Sequence, residues 1–422
     1  MVYNDCIIFP EGYFIMDTMV LCLIFIEAFF ALYLVKNEYI MDSVHRVVAT
    51  YALLVLAFVV RSLMLDYQTL DYQDFLCKWV EYYRLNGGVK AFAAPLGNYN
   101  IPYMYFLCLF SYLPIKDLYL IKLLSVAFDI GLAYAVMKLV DRVNDSSNIK
   151  LAAFFTALLL PTVVLNGALW AQCDSIYAAL ALLGLWLALD KRPILSVLCF
   201  TLSFGFKLQA VFILPIMAVL LFAKKYKLWH LALFPAFYIA LVLPAVIMGK
   251  PFIETLTLYA SQTGSIGSGL NYNSPSVFAL FKSVADEAAA ANTGIIAAFV
   301  FMLIILTLCF IKRKALNDRS IILAAALLSL GIPFLLPHMH DRYFFLADVL
   351  SLVLAFVYFP FGISFAVLCQ FASILGYHAY LTMRWLLTMN YGAMALIAVL
   401  LGLLFLFAKE LFLPQLSIGK KE

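Results

Sequence analysis

Charge is what this sequence has least of. Asp, Glu, Lys and Arg make up 12% of the 422 residues and hydrophobic residues 66%, against about 25% and about 45–50% in an ordinary soluble domain. That balance excludes a soluble globular chain. Many stretches of about 20 residues carry almost no charge, the length that crosses a hydrocarbon core about 30 Å thick. Ten-residue segments of alternating polarity are also missing, which excludes a β-barrel. The eight cysteines are scattered and include no C-x-x-C pair, so neither a disulfide framework nor a zinc site is expected. Cys6 and Cys77 could share a compartment, but nothing further points to a bridge. The first hydrophobic run has acids before and within it (Glu11, Asp17) and no basic segment ahead. It reads as a retained helix, not a cleaved signal. No internal repeat suggests the two-half plan of many transporters. The net charge of +4 is dispersed as single bases and small clusters between apolar runs. That is the distribution of orientation signals and gives no nucleic-acid-binding face.

What is present is a series of thirteen apolar runs: 13–35, 45–65, 118–139, 151–168, 173–190, 194–206, 208–223, 228–248, 293–311, 320–336, 345–360, 362–380 and 387–409. They predict an all-α polytopic membrane protein, one integral-membrane domain over 1–422, with about 13 transmembrane helices. The Lys/Arg distribution places 36–44, 140–150, 191–193, 224–227, 312–319 and the tail after Lys409 in the cytoplasm. Five places then face the other side: the loop 66–117, the turns near 169–172 and 207, the loop 249–292 and the segment 337–344. Every unusual polar motif falls in one of these five. Within the first loop, 101–115 reads as a juxtamembrane or re-entrant helix. In the second, Gly264, Gly267, Gly269, Asn271, Asn273 and Pro275 predict irregular backbone, followed by an Ala-rich surface helix over 280–292.

"LDYQDFLCKW", residues 70–79, places Asp71 and Asp74 at the start of an amphipathic helix. Its apolar face is Tyr72, Phe75, Leu76, Trp79, Val80 and Tyr83. The plain reading makes Asp71 an N-cap and Asp74 a first-turn charge; the functional one makes either a base. "GNYNIPYMYF" (97–106) turns the chain back toward the membrane, with Tyr99, Asn100 and Tyr103 as candidate ligands. In "NGALWAQCDSIY" (166–177), Trp170 could offer a ring face to a sugar, and Gln172 and Asp174 could bind hydroxyls. The alternative is an interfacial Trp anchor beside a helix-start Asp. "FGFKLQAVF" (204–212) sets Lys207 and Gln209 between two short apolar runs, where the lysine either snorkels or binds an anion. "LPHMHDRYFF" (336–345) is the richest cluster, with His338, His340, Asp341 and Arg342. Arg342 with a histidine suits a phosphate; an ordinary polar loop is the alternative. Glu27 and Asp129 lie inside apolar runs, where acids are either functional or neutral interhelical hydrogen-bonders.

In their order, spacing and common side, these stretches resemble the GT-C superfamily of membrane glycosyltransferases, which use polyprenyl-phosphate-linked sugars. The resemblance is greatest to bacterial relatives of the second mannosyltransferase of GPI-anchor synthesis and runs from about residue 60 to 345. Three departures stand out: Asn98 where an acid is common, Ile101 where a second proline is common, and Asp341 where glutamate is usual. The resemblance implies an inverting transferase in the bacterial plasma membrane, working on the extracytoplasmic face. Its substrates are a polyprenyl-phosphate sugar and a glycan, lipid or protein acceptor; membrane lipids surround it. It implies Asp71 as catalytic base, with Asp74 as second choice. Lys207, Arg342 and His340 would hold the donor phosphate, and Trp170, Gln172, Asp174, Gln209, Tyr99, Asn100, Tyr103, His338 and Asp341 the sugar or acceptor. No cofactor is implied; a divalent metal is an option that nothing here requires. The competing function is a lipid-linked sugar transporter or flippase, which would depend on Glu27 or Asp129 near the bilayer midplane.

Overall fold

The computed structural model describes residues 13–38, 40–97, 99–262 and 269–413. Expectations for Cys6, Glu11, Asn98, Gly264 and Gly267 fall outside the described residues. Helices α1 (Tyr13–Asn37) and α2 (Val44–Ser62) lead into the first polar segment, which holds α3 (Cys77–Leu85) and α4 (Ile101–Phe110). Next come α5 (Asp117–Asp141), α6 (Ser147–Leu158), α7 (Pro161–Val164), α8 (Asp174–Leu189), α9 (Pro193–Phe206), α10 (Ile216–Phe222) and α11 (Leu228–Ile247). Two short helices, α12 (Phe252–Leu256) and α13 (Leu258–Gln262), occupy the second polar segment. The chain continues through α14 (Glu287–Ile311), α15 (Asp318–Leu335), α16 (Phe345–Val357), α17 (Ile363–Thr382) and α18 (Met389–Phe412).

Each of the thirteen apolar runs is occupied by helix, but their lengths differ. Among the described residues, eight helices are long and apolar enough to cross a membrane, or nine if α6 and the stretch 161–169, bent by 43°, form one span. The bend falls where Pro161 starts a new helix, because proline disfavours helical backbone at the residue before it. The runs at 173–190, 194–206, 208–223 and 345–360 form helices of 10–17 residues, so the expected thirteen crossings are not each met by a full-length span. The proposed surface helix over 280–292 is also different: 281–286 are not helical, and Glu287 begins α14 itself. Asp286 caps α14 by accepting from the Ala289 N–H at 2.9 Å, so the acid fixes the start that the alanines alone do not.

Burial sorts the helices. The cores of α5, α8, α15 and α16 are almost entirely buried. Helices α1, α2, α11 and α14 leave large apolar side chains exposed, among them Phe25, Phe29, Val55, Ile247 and Phe299. A collar of this kind suits hydrocarbon as solvent, not water.

Basic loops that the sequence assigns to one side do gather at one end. Lys138 pairs with Glu38 at 2.8 Å, Arg142 with Asp318 at 2.9 Å and Asp190 at 3.7 Å, and Lys225 with Asp318 at 3.1 Å. Asp318 opens α15, and the "LPHMHDRYFF" segment follows that helix's other end. Eighteen residues of α15 rise about 27 Å, close to the thickness of a bilayer core.

The buried acid on α5 is engaged. Asp129 accepts from the Arg61 guanidinium at 3.1 and 2.8 Å, and Arg61 also donates to the Leu158 carbonyl at 2.7 Å. Ser175 completes the group through a short hydrogen bond to Asp129. Of the two readings of Asp129, this contact supports the interhelical one: it ties α2, α5 and α8 and holds helices together.

Candidate active site

Asp71 sits where two irregular helical turns meet. Its own helix begins with a π-helical turn, Tyr72–Leu76, and a second π-turn, Leu165–Leu169, ends against Trp170. Insertions of this type redirect side chains and concentrate at functional sites. Asp71 has helical backbone (φ −58°, ψ −38°) and its side chain caps nothing, which removes the N-cap reading. Instead its Oδ2 accepts from Trp170 Nε1 at 3.0 Å and Gln172 Nε2 at 2.7 Å, and Arg342 Nη1 lies 3.6 Å away. Its backbone N–H donates to the Tyr380 hydroxyl at 3.2 Å. The side chain keeps 23% of its surface open, so the carboxylate is oriented yet reachable. Asp74 is 58% exposed and faces Lys78 at 3.5 Å, away from this cluster.

The segment before Asp71 is fastened from below. Buried Lys122 on α5 donates to the carbonyls of Met64, Leu65 and Tyr67 at 2.8, 3.0 and 2.6 Å, a cation on the carbonyls beyond the end of α2. Thr69 Oγ1 donates to the Trp170 carbonyl at 3.0 Å.

Trp170 differs from the open platform expected of it. It is fully buried, stacked on Tyr380 at 4.2 Å and edge-on to Tyr377 at 5.1 Å, with the Arg342 guanidinium 5.3 Å from its ring centroid. Its work is to hold Asp71 and Arg342. Asp174 is likewise closed to a sugar: it is 1% exposed, pairs with Lys207 at 2.5 Å and accepts from Asn166 Nδ2 at 2.7 Å. Lys207 is 6% exposed, so it does not snorkel to a surface. Burial alone would lower its ammonium pKa, but Asp174 reverses that and the net direction is up. Arg342 Nε lies 3.8 Å from Asp174, and Arg342 Nη1 lies 3.8 Å from Asp341. Three acids and two cations thus form one network with Arg342 at its centre.

The remaining candidates divide by burial. Tyr99 is half-buried, donates to Gln172 Oε1 at 3.2 Å and lies beneath Lys207, 5.6 Å from ring centroid to Nζ. Asn100 and Tyr103 are buried: Asn100 caps α4 and donates to the Tyr238 hydroxyl at 2.9 Å, and Tyr103 packs on Tyr99 at 4.9 Å. They build the floor and do not line the opening. Gln209 is 9% exposed, and its Oε1 has no hydrogen-bond partner among the described residues. His338 adopts φ +61° and its Nδ1 meets the Gly269 carbonyl at 2.7 Å. His340 stacks on Tyr272 at 4.7 Å, where the two-residue strands β1 (Asn271–Tyr272) and β2 (Met339–His340) pair in parallel. That pairing ties the second polar loop to the site. Burial, reinforced by Arg342, lowers the His340 imidazole to about 4, so it is neutral at physiological pH and can donate a hydrogen bond without carrying charge.

Burial pushes the Asp341 carboxyl up to about 7, with Arg342 opposing the rise. An unfolded chain releases that proton near 3.8. This group therefore favours the fold most below that pH, and its contribution is lost as pH rises toward 7. Asp341→Asn abolishes the titration. The unfolding temperature of the variant minus that of wild type should climb between pH 4 and 7, then level off. A difference that does not change with pH refutes the assignment. Gly376 on α17 packs against the same acid: a Cβ there would lie 2.8 Å from the Asn273 carbonyl oxygen and 2.9 Å from Asp341 Cβ. Gly376→Ala gains about 1 kcal/mol of helix propensity but overpacks at a cost of about 1–3 kcal/mol. A lowered unfolding temperature is expected; wild-type stability would show that the contact yields.

Residues 110–223, from the end of α4 through α10, match the model of the alpha-(1->6)-mannopyranosyltransferase N-terminal domain family. That likeness, over about a quarter of the chain, supports a glycosyltransferase of the mannosyltransferase type. The match carries Asn166, Trp170, Gln172, Asp174, Lys207 and Gln209, while Asp71 and Arg342 lie outside it. Among curated proteins, none matches this sequence. The candidate site includes residues that motif reading passed over. Asn166 orients Asp174, and Tyr377 and Tyr380 support Asn166, Trp170 and Asp71. Asn166 stands in a quoted motif and was legible. The two tyrosines sit in the apolar run 362–380, where their spacing of three signals only a shared helix face.

Proposed function

We propose that this glycosyltransferase moves a hexose, mannose being the family precedent, from a polyprenyl-phosphate donor to an acceptor hydroxyl at the extracytoplasmic membrane face, with inversion. The observation that carries this is a partly open carboxylate, Asp71, set 3.6 Å from an arginine and oriented by two donors. A lipid phosphate is already a good leaving group, so its departure needs positive charge and not a proton. One carboxylate then suffices as general base. Asp71 takes the acceptor proton, the acceptor oxygen bonds to the anomeric carbon, and the C–O bond to phosphate breaks with its electron pair on the phosphate. Arg342 holds that charge, helped by neutral His340 as a hydrogen-bond donor. Lys207 acts from behind, through Asp174. Opposite-face attack inverts the anomeric centre.

Asp129 is committed to Arg61, which weighs against a flippase built on that acid. The test offers purified protein a panel of prenyl-phosphate sugars and acceptors and analyses products by mass spectrometry and anomeric NMR. A new glycosidic bond of inverted configuration is expected. No transfer from any prenyl-phosphate sugar, or retained configuration, overturns the proposal.

A further inference from the structure

We infer that the protein holds an anionic phospholipid headgroup at the end of the fold remote from Asp71. An open cavity of about 530 Å³ lies there. Arg319 from the start of α15, Lys409 from the end of α18 and Tyr358 from the end of α16 all line it. Two other cations at this end, Arg142 and Lys225, share Asp318. Among the described residues, Arg319 and Lys409 have no such partner. Glu410, next to Lys409 in the chain, is 9% exposed and accepts from the Tyr358 hydroxyl at 3.0 Å, so it is turned to the tyrosine. The cavity therefore presents two positive charges that seek an anion.

The wall selects the kind of anion. Phe359, Phe361 and Phe405 line the cavity and are 73%, 54% and 65% exposed. Three open rings beside two cations suit an amphipathic ligand, phosphate on the bases and acyl chains along the rings. The cavity also lies at the end where the basic loops cluster, so it faces the leaflet that the Lys/Arg distribution assigns to the cytoplasm. Basic pockets between spans on that side attract anionic headgroups. An inorganic phosphate would use the cations and leave the rings idle. We therefore assign the occupant as a membrane phospholipid.

The full chain is purified into mixed micelles of phosphatidylglycerol and acyl-matched phosphatidylcholine and examined by native mass spectrometry. Wild type should retain phosphatidylglycerol in preference. Arg319→Gln with Lys409→Gln should reduce that retention by about thirtyfold, from two cations near the surface acting together. Arg313→Gln, an exposed base outside the cavity, should leave it unchanged. Equal retention of the two lipids, or full preference in the double variant, overturns the inference. So does complete displacement of the lipid by millimolar inorganic phosphate, which would make the site one for a free anion.

Discussion

Asp71→Asn should lower sugar transfer by two to four orders of magnitude, the range that a positioned general base contributes, with the fold intact. The substitution is nearly isosteric. The amide oxygen can still accept from Trp170 Nε1 and Gln172 Nε2, which now meet the carboxylate at 3.0 and 2.7 Å, so side-chain position is largely kept. What disappears is the lone pair basic enough to take the acceptor proton. The charge disappears with it, which releases Arg342 from an acid 3.6 Å away. Donor KM should therefore stay level or fall while kcat collapses, the pattern of an interaction made in the transition state and not in the ground state. Steady-state kinetics on the purified variant, with its unfolding temperature measured alongside, decide this. Transfer at the wild-type rate would remove Asp71 from catalysis. Asp74→Asn is the internal contrast: an exposed residue facing Lys78 should change transfer little.

Lys207→Met should destabilise the protein by about 3–5 kcal/mol, the cost of leaving one partner of a buried ion pair alone. Asp174 is 1% exposed and Lys207 6%, so neither charge can be rescued by water. Adding Asp174→Asn to Lys207→Met should recover much of the loss, because the orphaned carboxylate is gone and Asn can still bond Asn166. Thermal or denaturant unfolding in micelles gives the comparison. If the double variant is as unstable as the single one, the pair is not the unit that matters. If stability returns and transfer does not, the Lys207 charge also serves the donor phosphate, through Asp174 and Arg342.

The contrast between these two predictions shows what could be read from the chain. Lys207 and Asp174 were each visible as polar residues where apolar runs break, but their partnership was not. Each looked like a ligand for substrate, and burial made them ligands for each other. Asp71 and Asp74 were three positions apart in one helix start and looked alike. The π-turn after Asp71 and the aromatic wall of Trp170 and Tyr380 made them unequal. The sequence suggests a phosphate-holding role for His340 but not its charge: burial beside Arg342 makes it neutral.

By itself the sequence determined the solvent and the general architecture. Scarce charge and runs of about 20 apolar residues require helices that satisfy their own backbone in hydrocarbon. The spacing of bases sorts the polar motifs to one end, as the helices then do. Tertiary structure alone decided which acid is held open, which cations are free and which rings are structural. Hydropathy and periodicity are local properties, whereas Asp71 meets Trp170 across 99 positions and Arg61 meets Asp129 across 68. Charge pairing, desolvation and hydrogen-bond direction at such distances exist only once the helices have packed.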